Sequence, residues 1–113
     1  MNVVNLEIPN KVITCKFGIL AFKHYCDDQK IGLTHLGDNL ANRDLFGIID
    51  LIYYGYVANC NLNGHPVEFT KAQATEWLEY LDEKQLEEVN KAILDVKIFG
   101  KNMNAKESND KKK

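Results

Sequence analysis

The cysteine and histidine side chains are the residues of this chain best suited to covalent or metal chemistry. Cys60 with His65, and His24 with Cys26, could each place a thiol beside an imidazole. A nucleophilic thiolate needs a base that a third group orients, and neither pair shows such a group. The four side chains are also zinc ligand types, but the spacings Cys-x4-His and His-x-Cys differ from the paired spacings of structural zinc sites. We therefore expect core or loop residues at these positions, with no catalytic residue, no metal and no cofactor.

The carboxylates give no stronger indication of catalysis. The acidic pairs at residues 27–28 and 87–88 fall at helix ends or on polar faces, where a carboxylate is solvated or complements a helix dipole. The sequence contains no phosphate-binding glycine loop, no Gly-x-Ser-x-Gly elbow and no His-Glu-x-x-His pair. The sequence thus predicts a protein that is not an enzyme. A small hydrolase or metal-dependent enzyme is an alternative hypothesis. It would require bound metal, or a loss of activity when Cys60 or His65 is substituted.

Length and cysteine usage indicate one small domain in a reducing compartment. A chain of 113 residues can bury a single modest core. Three cysteines, an odd number at no recognised spacing, are typical of reduced cytosolic thiols rather than of a disulfide framework. The first residues, MNVVNLEIPNK, lack a secretion signal, and no later segment has the length and hydrophobicity of a membrane span. We expect a cytoplasmic protein without a membrane partner.

The formal net charge of −2 is unevenly distributed along the chain. Residues 1–100 hold nine basic and fourteen acidic side chains, a net of −5, whereas residues 101–113 hold five and two, a net of +3. An acidic body repels a phosphate backbone, and the second helix predicted in the helix–turn–helix at residues 70–99 carries several acidic residues. We therefore expect no nucleic-acid partner. Residues 1–100 form the predicted domain, and residues 101–113 form a predicted disordered, lysine-rich tail.

The N-terminal segment has the alternation of a β-hairpin. Residues 3–8 and 11–17 alternate apolar and polar side chains, and Pro9-Asn10 between them is turn chemistry. The predicted register pairs Ile8 with Lys11, Leu6 with Ile13 and Val4 with Cys15, so the last two pairs form one apolar face. An isolated hairpin is marginally stable in water, so this face should pack on helices. The predicted fold class is α+β, with the hairpin packed on a small bundle of four to five helices.

The helices are predicted from apolar periodicity and capping residues. Residues 42–57 form the central helix, with Asn42 as its cap and Gly55, Asn59 and Asn61 supplying the residues that end it. A short helix precedes it from Ile19, and a weaker turn covers residues 34–40. Residues 59–69 are predicted to be an irregular connection. Two helices follow: one opens with a capping box at residues 70–73, and the last opens at Asp82 and extends to residue 99.

Several apolar positions are candidates for contact with another protein. The central helix is apolar over most of its circumference, so either the rest of the chain or a partner must cover it. Leu94, Ile98 and Phe99 fall off the inward line of the last helix. Trp77 could anchor a partner, although its helical spacing with Leu78 and Leu81 favours the core. The predicted partner-binding residues are Tyr54, Trp77, Leu94, Ile98 and Phe99.

The order of these elements resembles a known family. The hairpin leading into KFGILAFKHY, then NRDLFGIIDLIYYGY, then TKAQATEWLEYLDEKQLEEVNKAI resembles the tail assembly chaperones of long-tailed bacteriophages and their prophages, over residues 3–98. The resemblance implies a non-enzymatic protein of the host cytoplasm that coats the tape measure protein, keeps it soluble and recruits tail tube subunits. It also implies self-association into rings or spirals, and absence from the finished virion.

Two alternatives stay open from the sequence. The resemblance implies a longer product made by ribosomal frameshifting near the end of the reading frame, and the lysine run Lys111, Lys112 and Lys113 is a candidate region for the slip. The same run is equally explained as a solubilising end or a cloning remnant. The alternative function is a small structural or connector protein of the phage tail that is retained in the virion.

Overall fold

The computed structural model describes residues 2–42, 44–98 and 101–102, and it confirms the α+β class. An N-terminal hairpin is followed by five α-helices and by a short strand pair. Two 3-10 turns, Leu33–His35 and Glu76–Glu79, directly precede the second helix and directly follow the fourth. The elements are β1 (Val3–Ile8), β2 (Lys11–Lys16), α1 (Ile19–Gln29), α2 (Leu36–Ala41), α3 (Leu45–Asn63), α4 (Lys71–Thr75), α5 (Glu83–Leu94), β3 (Lys97–Ile98) and β4 (Lys101–Asn102).

The hairpin has the predicted register. Pro9 fixes φ at the first central turn position, and Asn10 takes a left-handed φ of 66°, which asparagine tolerates better than most residues. Ile8 pairs with Lys11 next to the turn. Further along, the pairs Leu6–Ile13 and Val4–Cys15 place their side chains inward. The inward side chains are all buried: Val4, Leu6, Ile13 and Cys15.

The central helix α3 is longer than predicted and starts later. Asp44, rather than Asn42, is the N-cap, and its carboxylate accepts hydrogen bonds from the backbone N–H groups of Phe46 and Gly47. The helix continues past Gly55 and ends at Gly64, whose φ is 70° and whose N–H donates to the Cys60 carbonyl. The predicted bounds of 42–57 were therefore wrong, as was the prediction that residues 59–63 are irregular.

Gly55 has a packing role that explains why it does not end the helix. A Cβ at this position would lie 2.8 Å from Cε1 of Phe17 and 3.2 Å from Cβ of Cys15. The missing side chain thus lets β2 approach the helix backbone closely, at a cost of about 1 kcal/mol in helix propensity.

Three elements surround α3. Strand β2 packs on one side, α1 and α4 pack on others, and β1 rests on α5. The side chains that α3 contributes to the core are Ile49, Leu51, Ile52, Tyr56, Ala58 and Cys60. The helix is therefore mainly the core of its own protein. Within the residues described, no helix is both long enough and apolar enough to cross a bilayer.

The start signals of the last two helices are confirmed, but the end of the second was predicted wrongly. Thr70 and Gln73 form the capping box of α4, and Asp82 accepts from the Gln85 N–H at the start of α5. Helix α5 ends at Leu94 instead of residue 99, and the backbone of Ile98 lies in β3. Both Val96 and Ile98 are β-branched, which favours strand over helix.

The C-terminal predictions fall partly outside the described residues. Lys101 and Asn102 pair with β3, so the backbone is extended at the start of the predicted tail. Phe99 and residues 103–113, including the lysine run 111–113, lie outside the described residues.

Candidate interaction surfaces

Tyr54 belongs to a polar network between α1, α3 and α4, which we call the Lys71 network (Asp28, Asp50, Tyr54 and Lys71). The Lys71 ammonium lies 2.7 Å from Oδ2 of Asp28, 3.8 Å from Oδ2 of Asp50 and 5.9 Å from the centre of the Tyr54 ring. The hydrogen bond and charge of Lys71 lower the pKa of Asp28. Burial, then the charge of Asp28, raises the pKa of Tyr54 well above its usual value. The half-buried Tyr54 thus connects helices of its own chain.

Trp77 lies in the core. Its ring packs edge-on against Tyr56 and Phe69, with centroid separations of 5.7 Å in both cases. The indole is 3% exposed, so it cannot contribute to a contact surface in this structure. This placement corrects the inclusion of Trp77 among the partner-binding candidates, and it agrees with the core position that its helical spacing favours.

The remaining predicted contact residues lie near the C-terminus. Leu94 is exposed, as its position off the inward line of α5 indicates. The side chain of Ile98 and the whole of Phe99 fall outside the described residues. Leu94 is therefore the one predicted contact residue for which the structure shows an exposed side chain.

Sequence reasoning missed two adjacent exposed apolar side chains. Phe46 is 62% exposed, the highest fraction among the large apolar side chains of the described residues, and its neighbour Leu45 is also exposed. They form the first turn of α3, immediately after the Asp44 cap, and we call them the apolar end of α3. Assigning the cap to Asp44 would have placed both in the first turn, where a helix most readily extends beyond its neighbours.

A groove runs beside β2, and we call it the β2 groove. It encloses about 240 Å³ between β2, the C-terminal half of α3 and the connection that follows. The Tyr56 hydroxyl anchors that connection by accepting from the backbone N–H groups of Glu68 and Phe69, at 2.8 and 3.3 Å. The lining residues are Lys11, Val12, Ile13, Thr14, Tyr56, Asn59, Cys60, His65, Pro66 and Glu68.

The structure brings Cys60 and His65 to the same groove. Cys60 is buried, and the Lys11 ammonium at the groove pairs with Glu68 at 2.9 Å. His24 lies on α1, and its Nε2 is 3.1 Å from the side-chain amide nitrogen of Asn61 on α3. Among the described residues, no three histidine, cysteine or acidic side chains are grouped as a metal site would need.

The three thiols are free and buried. Burial raises the pKa of Cys15, and burial followed by the charge of Asp27 raises that of Cys26. A raised pKa reduces the thiolate fraction, so both are poor nucleophiles in the folded protein. Comparisons with models of protein families, with curated proteins and with solved structures found no match to the chain.

Proposed function

We propose that the protein is a tail assembly chaperone of a long-tailed bacteriophage or prophage. In this role it binds the tape measure protein, keeps that long helical chain soluble and recruits tail tube subunits, without catalysing a reaction. Support comes from the order of sequence elements over residues 3–98 and from the apolar surface that the fold leaves uncovered.

The observation that carries the proposal is the exposed apolar end of α3. Most of this apolar helix is covered by β2, α1 and α4, so it has little free surface to offer along its length. Leu45 and Phe46 are adjacent and exposed at the start of the helix, whereas Leu62, near its other end, is exposed singly. Covering a large apolar side chain contributes roughly 1.5–3 kcal/mol, so burying both against an amphipathic helix would contribute appreciably to binding.

Charge is consistent with this role. The net charge of −5 on residues 1–100 favours solubility while apolar side chains are exposed, and it disfavours nucleic acid. A chaperone of this kind acts in the host cytoplasm and is absent from the mature virion.

The direct test is co-expression with the tape measure protein, which we expect to be encoded directly downstream, with a tail tube protein upstream. Wild-type protein should keep the tape measure protein in the soluble fraction and co-purify with it. Phe46→Ser should reduce the co-purified amount severalfold, because it removes the most exposed apolar side chain of the contact. Leu62→Ser is the matched control, since Leu62 is 56% exposed on the same helix, sixteen residues and about 24 Å away along its axis.

Equal loss of binding in both variants would argue against a contact at the apolar end of α3. Failure of the wild-type proteins to co-purify, or to improve each other's solubility, would overturn the chaperone assignment. Mass spectrometry of purified virions distinguishes the structural alternative, because a connector would be present there. For the longer product, coding nucleotides at Lys111–Lys113 that cannot re-pair both tRNAs after a −1 slip would remove the frameshift hypothesis.

A further inference from the structure

Among the described residues, no backbone group pairs with the outer edge of β2. Phe17 N–H donates to the Asn2 carbonyl at 2.8 Å, so this opposing pair is a hydrogen-bonded one. Hydrogen-bonded and non-hydrogen-bonded pairs alternate along an antiparallel ladder. The register therefore makes Glu7–Val12 and Asn5–Thr14 non-hydrogen-bonded pairs. The backbone N–H and C=O groups of these residues point away from the partner strand.

The β2 groove lies along this edge. Lys11, Val12, Ile13 and Thr14 form one wall of it, and Tyr56, Asn59 and Cys60 belong to the opposite wall. Within the part of the chain that the structure describes, the sheet has two strands, and no third strand pairs with β2. An open strand edge beside a helix, with a groove between them, is the arrangement in which an extended peptide can add as a further strand.

The size and charge of the groove indicate what it can hold. Its volume of about 240 Å³ is below the range of roughly 300–1,000 Å³ typical of small-molecule sites, but it has room for a peptide side chain. The acidic and basic side chains that line it, Glu68 and Lys11, pair with each other. The groove therefore offers no unpaired carboxylate or ammonium to a charged ligand, and its other lining groups are apolar or neutral and polar apart from His65.

We infer that the β2 groove binds an uncharged, extended peptide segment of another protein, which adds as a third strand along β2. Its backbone pairs with the outward N–H and C=O groups of Val12 and Thr14. Alternate side chains of the segment face Tyr56 and Asn59 across the groove. This site is distinct from the apolar end of α3, and neither binding mode requires the other.

The test uses a displayed library of random peptides, selected on the full-length protein, followed by affinity measurement with synthetic copies of the enriched peptides. Val12→Pro removes the N–H that faces the groove. Glu7→Pro is the matched control, because Glu7 is the register partner of Val12 and its N–H faces the opposite edge of the same hairpin. Proline is tolerated at outward-facing edge positions, so both variants should fold. We expect uncharged peptides that bind wild type and Glu7→Pro equally, and Val12→Pro about tenfold more weakly or worse.

A second measurement covers the case in which Val12→Pro does not fold. Amide hydrogen exchange at Val12 and Thr14 in the wild-type protein should slow when the peptide is added, whereas exchange at Asn5 and Glu7 should not change. Phe46→Ser should leave peptide binding intact, which separates this site from the proposed chaperone contact. The inference is overturned if no peptide is enriched, if enriched peptides are predominantly charged, if Val12→Pro binds like Glu7→Pro, or if the β2 edge instead pairs with a second copy of the chain.

Discussion

The two flanks of α3 are held by different physical means. On the hairpin flank, Phe17 and Cys15 pack onto Gly55, and the Cys15 thiol donates a weak hydrogen bond to the Ile52 carbonyl at 3.5 Å. On the helical flank, the Lys71 network joins three helices through charges and a phenol. One helix is therefore fixed by close approach on one side and by electrostatics on the other. Changes in shape should damage the first flank, and changes in pH should affect the second.

The largest effect is expected from removing the ring that fills the hairpin flank. Phe17 is completely buried, so Phe17→Ala leaves a cavity and should lower the free energy of unfolding by about 3–5 kcal/mol in urea denaturation. Val12→Ala, on the exposed face of the same hairpin, should change it by less than about 0.5 kcal/mol. Similar losses in the two variants would show that the hairpin flank is not the tightly packed one.

A smaller effect is expected from adding one methyl group to the same flank. Gly55→Ala places a Cβ 2.8 Å from the ring of Phe17, which is completely buried, so the ring or the helix must shift. We expect a loss of about 1–3 kcal/mol, despite the better helix propensity of alanine. Gly37→Ala is the control, because Gly37 is helical with nothing near its Cβ position, and it should stabilise by about 0.5–1 kcal/mol. A stabilising Gly55→Ala would contradict the close approach.

The smallest effect is expected on the polar flank, and it should depend on pH. Lys71→Met should lower the free energy of unfolding by about 0.5–1 kcal/mol at pH 7, because the Lys71 side chain is 39% exposed and solvent screens its charge. Lys71 lowers the folded-state pKa of Asp28, so the stability from this pair is present above the ordinary Asp28 value of 3.8 and is lost as pH falls through the folded value. The difference between variant and wild type should therefore shrink below about pH 4.

NMR titration of Asp28 in both proteins checks this mechanism directly, since its pKa should rise in Lys71→Met. Lys23→Met is the control, because the Lys23–Asp27 pair is more exposed than the Lys71–Asp28 pair, and its removal should cost at most about 0.5 kcal/mol. A pH-independent loss in Lys71→Met would assign its role to packing of the aliphatic stem.

Local patterns predicted the hairpin and most helix starts, because the information lies within a few residues. The alternation around Pro9-Asn10 specifies one register, and the Thr70–Gln73 capping box needs only residues three apart. Gly55 shows where this approach fails. Its sequence context is that of a helix end, but its actual role depends on Phe17, thirty-eight residues earlier, which no local pattern reveals.

The candidate surfaces were harder to predict than the fold. An apolar stripe indicates which residues prefer to be covered, but it does not indicate where the covering elements stop. Leu45 follows the stripe yet lies beyond the covering elements, whereas Trp77 is buried and packs against Tyr56 and Phe69. The β2 groove depends on strand β2 meeting residues of α3 that are more than forty positions away in sequence.

The complete burial of the Cys15 thiol has a further consequence for the life of the molecule. An oxidant or alkylating reagent can reach this thiol only when the core opens, so the rate of its modification depends on how often the core opens. The covalent state of Cys15 would then record whether a molecule had lost its native packing.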